Sequence, residues 1–135
     1  MAEDKPVEMP LSTQDDVVSV RQAVRSAAVQ IGLNLIDQTK IVTAASELAR
    51  NTVIHGKGGI ARIEAIQETG RRGIRLTFED RGPGIPDIEK AMTDGYTSGN
   101  GLGLGLGGSK RLSSEFSIES KPGEGTRVVI TRWKS

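Results

Sequence analysis

Glycine recurs at positions 99, 101, 103, 105, 107 and 108 within the stretch Asp94–Arg111, interleaved with Leu102, Leu104 and Leu106. Closely spaced glycines let backbone N–H groups approach an anion, and a helix that follows turns its positive end toward the same place. Leu104, Leu106 and Leu112 predict such a helix between Gly105 and Ser114. The chemistry expected of this stretch is that of a mobile loop closing over phosphate groups. The plain alternative is a surface linker, but linkers combine glycine with serine rather than with leucine. Two other groupings carry chemistry. Glu47 and Asn51 are four residues apart, so on a helix they project from nearly the same side, one turn apart. A carboxylate and an amide so placed form either a site or a solvated polar face. Asp80 ends a pattern in which Ile74, Leu76 and Phe78 share one strand face, and period two puts the carboxylate on that apolar face. A carboxylate there is costly unless a donor meets it. The turn Arg81-Gly-Pro-Gly-Ile-Pro86 follows at once, so an Asp that merely bonds its own turn is the competing reading.

Two familiar glycine motifs are excluded. The phosphate-cradling GxxxxGK[ST] pattern is absent: Lys57 follows Gly56, but the earlier glycine is missing. A GxGxxG match exists at Gly103, Gly105 and Gly108, but it requires a strand immediately before it. Tyr96-Thr-Ser-Gly-Asn-Gly101 cannot be a buried strand, so the dinucleotide reading fails. The loop needs partners elsewhere in the chain.

The elements that must position these groups follow in order. Pro6–Leu11 reads as a short edge strand. Thr13-Gln-Asp-Asp16 has the spacing of a capping box with Asp in place of Glu, and Val17, Val20, Val24, Ala27, Ala28 and Ile31 recur at helical spacing. The first helix is therefore expected over Asp15–Ile31, closed by Gly32 in the left-handed conformation. Asn34 caps a second helix reaching His55, with Ile41, Ala45, Leu48 and Thr52 as its core stripe and Gly56 as its stop. His55, at that helix end, is expected to be structural. Gly59–Thr69 and Gly73–Asp80 predict a hairpin joined at Gly70-Arg-Arg-Gly73. Asp87–Thr93 predicts a short helix, and the glycine loop and its helix follow. Phe116–Lys121 and Thr126–Trp133 predict a second hairpin around Pro122-Gly-Glu-Gly125. Hairpin-paired strands with grouped helices make an α+β fold, with helices stacked on one sheet face.

The chain of 135 residues fits one domain spanning 1–135, with a single core. Net charge is +1 with acids and bases interspersed, and aromatic residues are scarce, so nucleic acid is not an expected partner. There is no cysteine for a disulfide or thiolate zinc site, and the single His55 argues against a histidine metal site. No apolar run approaches membrane-spanning length and no signal-peptide core is visible, so no membrane is expected and the location expected is cytoplasmic.

An acid/amide pair on a helix, an Asp-x-Gly-x-Gly turn and a glycine-rich lid before a helix occur in that order. In this the chain resembles the GHKL ATPases, the superfamily of gyrase, Hsp90, histidine kinases and MutL. Ser46-Glu-Leu-Ala-Arg-Asn51 is similar to the N box, Asp80-Arg-Gly-Pro-Gly84 and Gly101-Leu-Gly-Leu-Gly105 to the two glycine boxes, and Gly125-Thr126 to a small motif on a late strand. Within that superfamily, Asp94-Gly-Tyr, Lys110-Arg-Leu112, Glu115-Phe-Ser117 and Gly123-Glu-Gly-Thr126 look like the RsbT-type switch kinases of the stressosome. Asn51-x-x-x-His55 is shared with the RsbW-type anti-sigma factor kinases, which usually carry a longer lid.

The resemblance implies a two-layer α/β sandwich with a mixed sheet and helices on one face. It implies ATP and Mg²⁺ as cofactors. Asp80 would accept a hydrogen bond from the adenine amino group, which supplies the donor a carboxylate on an apolar face requires. Gly82 and Gly84 would keep the turn thin beside the base, and Thr126 would hold Asp80 or adenine through water. Asn51 would hold Mg²⁺, and Glu47 would orient or deprotonate the attacking hydroxyl. Gly101, Leu102, Gly103, Leu104 and Gly105 would line the phosphates, and Lys110 either adds charge there or lies on a solvent face. The implied function is a protein serine/threonine kinase acting on a Ser or Thr of a STAS-domain scaffold or antagonist protein, then released to a phosphatase or other effector. The alternatives are an anti-sigma factor kinase that binds a sigma factor, and a nucleotide-gated interaction module without transfer activity.

Overall fold

The computed structural model describes residues 6–85, 92 and 105–134. Among these, strands β1 (Val7–Leu11), β2 (Gly59–Glu68), β3 (Arg71–Asp80), β4 (Glu115–Lys121) and β5 (Gly125–Trp133) form one sheet in the order β1-β2-β3-β5-β4. Helices α1 (Gln14–Ile31), α2 (Leu35–Ile54) and α3 (Gly105–Arg111) complete the described elements. Apart from Met92, the expected helix over Asp87–Thr93 lies outside the described residues, as do the lid residues Gly101, Leu102, Gly103 and Leu104.

The α1 start is the predicted capping box. The Thr13 hydroxyl accepts from the Asp16 N–H at 3.2 Å, and the Asp16 carboxylate accepts from the Ser12 and Thr13 N–H groups at 2.8 and 3.0 Å. Those two N–H donors hold the Asp16 carboxyl below the usual aspartate range, chiefly through Ser12 and then Thr13. Gly32, at φ 94°, closes α1 in the left-handed region. Asn34 caps α2 by accepting from the Asp37 N–H at 2.7 Å. Val17, Val20, Val24, Ala28 and Ile31 of α1 and Ile41, Ala45, Leu48 and Thr52 of α2 are buried, as their spacing predicts.

Every strand pair is antiparallel, so the sheet is not mixed. The chain leaves β3, passes through α3, and lays β4 down parallel to β3 but one position away. The return strand β5 fills that gap and pairs with both. Parallel strands are therefore present without ever being neighbours.

Register makes one sheet face apolar and the other charged. On the inner face Ala65 and Ile74 form one rung with Arg132; Ile63, Leu76, Ile130 and Phe116 form the next; Ala61, Phe78, Val128 and Ile118 the next. Ile74, Leu76 and Ile130 are fully buried against the helices, each contributing about 1.5–3 kcal/mol of apolar burial. The outer face carries a ladder of ion pairs. Arg62 meets Glu8 at 2.7 Å and Glu79 at 4.0 Å, and Arg127 meets Glu79 at 3.4 Å and Glu119 at 4.0 Å. Opposite charges thus alternate across all five strands. Near its end Arg71 stacks 3.8 Å over the Trp133 ring, whose indole N–H donates to Glu115 at 2.9 Å.

Two predicted turns are tighter than the sequence suggests. The β2–β3 loop is Thr69-Gly70 alone, with φ of 49° and 79°, and Arg71 and Arg72 already belong to β3. Two successive positive φ values give the hairpin twist that matches paired strands, so the ladder extends to its limit. In the second hairpin Glu115 and Gly125 also join the strands. Conversely α3 stops at Arg111, short of the expected Ser114. The Ser114 N–H donates to the Thr131 carbonyl at 2.7 Å, so by that residue the chain is already bonded to the sheet.

Among the described residues, a buried ion pair sits inside the two-layer arrangement. Arg132 Nη2 lies 2.7 Å from Asp37 Oδ1, with side chains only 16% and 4% exposed. Arg132 also donates to the Leu112 carbonyl at 3.3 Å, just beyond α3. One side chain thereby ties the start of α2 and the end of α3 to the interior strand β5.

Candidate functional site

Beyond the Arg132 rung, the inner face of the sheet is apolar until its last rung. There Gly59, Asp80, Thr126 and Ser120 stand side by side on β2, β3, β5 and β4. The period-two reading therefore holds: Asp80 shares the face of Ile74, Leu76 and Phe78, and it stands where that face meets solvent. It is partly buried, not sealed. The competing reading of Asp80 is also realised, because its Oδ1 accepts from the Gly82 N–H at 2.9 Å. One carboxylate oxygen thus fixes the turn, and Oδ2 is directed toward Gly56 at the end of α2.

Glycines make this corner possible. A Cβ on Gly56 would lie 2.6 Å from Asp80 Cβ, and nearer still to its carboxylate. A Cβ on Gly82 would lie 2.7 Å from the Gly56 carbonyl oxygen. The end of α2 and the turn after β3 therefore touch backbone to backbone. Gly56 is held there by its own N–H, which donates to the Asn51 carbonyl at 3.1 Å beside the His55 bond to the same oxygen at 2.8 Å. His55 acts as the α2 C-cap, the structural place expected for it. This brings the base of α2, which carries Asn51, against the turn that carries Asp80.

The β4–β5 hairpin holds the same turn from the other side. Gly123 N–H donates to the Pro83 carbonyl at 2.7 Å, and Ile85 N–H donates to Ser120 Oγ at 2.7 Å. Ser120 Oγ also lies 2.9 Å from Thr126 Oγ1 and 3.1 Å from the Gly125 carbonyl. Gly84, at φ 77°, packs against the Lys121 carbonyl where a side chain would not fit.

Glu47 and Asn51 are both half-buried on α2, one turn apart as predicted. Glu47 also lines an open groove between α1 and α2, with Asp15, Arg21, Arg50 and Ile54 among its walls. Gly105 opens α3, whose Leu106 joins the core and whose Ser109 is fully buried, while Lys110 is exposed. Among the described residues no helix is long and apolar enough to cross a membrane, and no group of three or more His, Cys, Asp or Glu could hold a metal ion. One protein ligand is enough for an ion whose other ligands are waters and substrate oxygens. A single amide such as Asn51 suits Mg²⁺ in that role, because Mg²⁺ keeps waters and phosphate oxygens.

Three residues of this corner were not singled out from the sequence as parts of a site. Gly56 reads there only as a helix stop, and Gly59 only as a strand start. Ser120 carries no motif at all; its place follows from the register of β4 against β5.

Comparison with known proteins fits this geometry. The profile of the histidine kinase-, DNA gyrase B-, and HSP90-like ATPases matches residues 36–134. The chain is 45% identical over 123 residues to the serine/threonine-protein kinase RsbT of Bacillus subtilis (strain 168), covering 91% of this chain and 92% of that one. It is 33% identical over 129 residues to an anti-sigma F factor of Clostridium novyi (strain NT), covering 90% and 89%. Among solved structures it is similar to the RsbU and RsbW domains of Rv1364c from Mycobacterium tuberculosis, with a TM-score of 0.67 and 26% identity. That match covers 97% of this chain and a third (33%) of the other. The mycobacterial sensor histidine kinase MprB shares the fold, with a TM-score of 0.54 and 17% identity over 96% of this chain and 97% of that one.

Proposed function

The chain belongs to the histidine kinase-, DNA gyrase B-, and HSP90-like ATPase family, and from that premise we propose that it is a single-domain protein serine/threonine kinase using Mg-ATP. Its substrate in this reading is a Ser or Thr on a STAS-domain partner, within a cytoplasmic partner switch that then hands the kinase to a phosphatase or other effector. The observation that carries the reading is 45% identity to a named serine/threonine kinase across nine-tenths of both chains.

Mg-ATP supplies the phosphoryl group. Asp80 presents Oδ2 as an acceptor to the adenine amino group while Oδ1 stays on the Gly82 N–H. Gly82 and Gly84 admit the base beside the turn, and Thr126, across the ladder from Asp80, stands next to it. Asn51 would contribute its amide oxygen to Mg²⁺. Backbone N–H groups of Gly101, Gly103 and Gly105 would meet the phosphates, with Leu102 and Leu104 between them. Phosphoryl transfer needs positioning and charge neutralisation more than covalent help from the protein. Glu47 takes the proton of the acceptor hydroxyl. Its place on the wall of the α1–α2 groove supports that role, because an acceptor can reach it from outside.

One experiment tests the reading. The protein is incubated with γ-labelled ATP, Mg²⁺ and purified STAS-domain proteins of the same organism. Label on a Ser or Thr of one such partner is expected, and about tenfold to a hundredfold less with Asp80→Asn at ATP concentrations well below the wild-type Kd. ATP binding without transfer would instead make the chain a nucleotide-gated interaction module. The 33% identity to an anti-sigma F factor favours a second reading, in which the kinase also holds a sigma factor. Co-elution with one in the presence of ATP would favour it.

A further inference from the structure

Helices α1 and α2 are joined by residues 32–34 and pack side by side, so they run antiparallel. The start of α1 therefore lies beside the end of α2. In the open groove between them, Glu47, Arg50 and Ile54 line the α2 wall, and Asp15, Val18 and Arg21 line the α1 wall. Residues three and four apart share one side of a helix. The α2 wall is thus a single stripe of carboxylate, guanidinium and aliphatic side chain. Its apolar members are open to a partner, with Ile54 43% and Val18 39% exposed. Arg50 is half-buried, yet its guanidinium makes no hydrogen bond or ion pair with any described residue, and neither does the Glu47 carboxylate. Five N–H donors in a fixed planar fork are left for a carboxylate from outside.

We propose that Arg50 is a specificity-determining residue of the kinase, which selects an acceptor segment carrying an acidic residue one or two positions from the phosphorylated Ser or Thr. The proposal rests on the reading of Glu47 as the base that takes the hydroxyl proton. With that hydroxyl at Glu47, a helix rise of about 1.5 Å per residue puts Arg50 about 4.5 Å and Ile54 about 10 Å further along the groove. An extended segment advances about 3.3 Å per residue. Arg50 therefore meets a side chain one or two positions from the acceptor, and Ile54 meets one about three positions away. The first is an acid, because only an acid matches the unspent guanidinium. The second is apolar, because Ile54 and Val18 offer it an apolar seat. Glu47 is occupied by the acceptor hydroxyl, so Arg50 is the charge that this stripe has left for reading the segment. Asp15, in the first turn of α1 and so toward the Ile54 end, repels an acid placed further along. The register of the segment is fixed from both sides.

The STAS-domain protein labelled by the wild type is the probe. Initial transfer rates at saturating Mg-ATP are measured against its concentration for the wild type, Arg50→Ala, Arg50→Lys and Arg50→Glu. The same series is run with acceptors in which each acid within three positions of the labelled residue is changed in turn to Lys. Arg50→Ala is expected to raise the acceptor KM about tenfold to a hundredfold, the scale of a hydrogen bond between charged groups, while the Kd for Mg-ATP stays at its wild-type value. Arg50→Lys keeps the charge and loses less. One acid-to-Lys acceptor should lose the same factor with the wild type and regain it with Arg50→Glu. A distorted groove gives no such mutual rescue, so the swap separates recognition from damage to the fold. A loss confined to kcat and shared by every acceptor would put the guanidinium on the phosphoryl group and overturn the proposal. An unchanged KM with Arg50→Ala, an acceptor with no acid within three positions, or the absence of any rescuing pair overturns it as well, and each leaves the kinase reading standing. A wild type that labels no acceptor overturns the kinase reading and this proposal with it.

Discussion

Replacing Gly56 by alanine adds one methyl group at the point where α2 meets the corner proposed to read the base. The new Cβ would stand 2.6 Å from Asp80 Cβ. Carbon atoms rest at about 3.5–4.0 Å, so the overlap is close to 1 Å. Rotating the carboxylate cannot relieve it, because Asp80 Cβ belongs to the strand. Either α2 or the end of β3 must shift, at the usual overpacking cost of about 1–3 kcal/mol. The same shift moves Asp80 Oδ2 out of register with the base. A charge-assisted hydrogen bond is then lost, about 1.5–3 kcal/mol, or about tenfold to a hundredfold in ATP affinity. Calorimetry with Mg-ATP on Gly56→Ala, Asp80→Ala and the double variant checks this, alongside urea denaturation of each. The two affinity losses should not add, since both remove the same bond. A Gly56→Ala protein that binds ATP as tightly as the wild type would refute the argument that this glycine makes room for the base-reading carboxylate.

Glu47→Ala is expected to leave ATP binding nearly intact and slow phosphoryl transfer about 10²-fold or more, whereas Asn51→Ala should weaken both; single-turnover transfer and calorimetry separate the two. Asp37→Ala strands Arg132 in the interior and should cost about 3–5 kcal/mol in urea denaturation, while replacing the pair together by apolar residues of like volume should cost far less. Asp16 makes its stability contribution as a carboxylate whose folded pKa is depressed by the Ser12 and Thr13 N–H groups. That contribution is fully present above about pH 4, the unfolded aspartate value, and is lost as pH falls through the lower folded value. The stability gap between wild type and Asp16→Asn, followed by denaturation from pH 7 downward, should therefore close only at the acid end.

Local signals in this chain were legible because each is decided within a few residues. The Thr13–Asp16 box, the Gly32 stop and the Asn34 cap all stand as the sequence predicts. So does the face of Asp80, because period two is a property of one strand. The α+β class and the helix-covered sheet face follow from the same patterns. The misses are tertiary. That the sheet is antiparallel throughout depends on β5 entering between β3 and β4, which no window of sequence reports. The Thr69-Gly70 turn was hidden because Thr69 reads as a strand former, yet it adopts a positive φ to extend the ladder. Gly56 looks like an ordinary helix stop; its contact with Asp80 joins two segments far apart in the chain. Ser120 gains its partners only from strand register and from the turn that reaches it at Ile85.

The insertion of β5 also fixes an order of events during synthesis. β5 leaves the ribosome after every other strand, yet it belongs beside the middle of the sheet. Until it arrives, β3 has an open edge and Asp80 has no neighbour at Thr126. The nascent chain can build α1, α2 and the β2–β3 hairpin early, from contacts between nearby residues. The corner proposed to read the base closes last. A nucleotide that binds only the closed corner then stabilises only finished molecules, by mass action. Competence to bind nucleotide becomes a mark of completed folding, and a chain truncated before Gly125 should have neither.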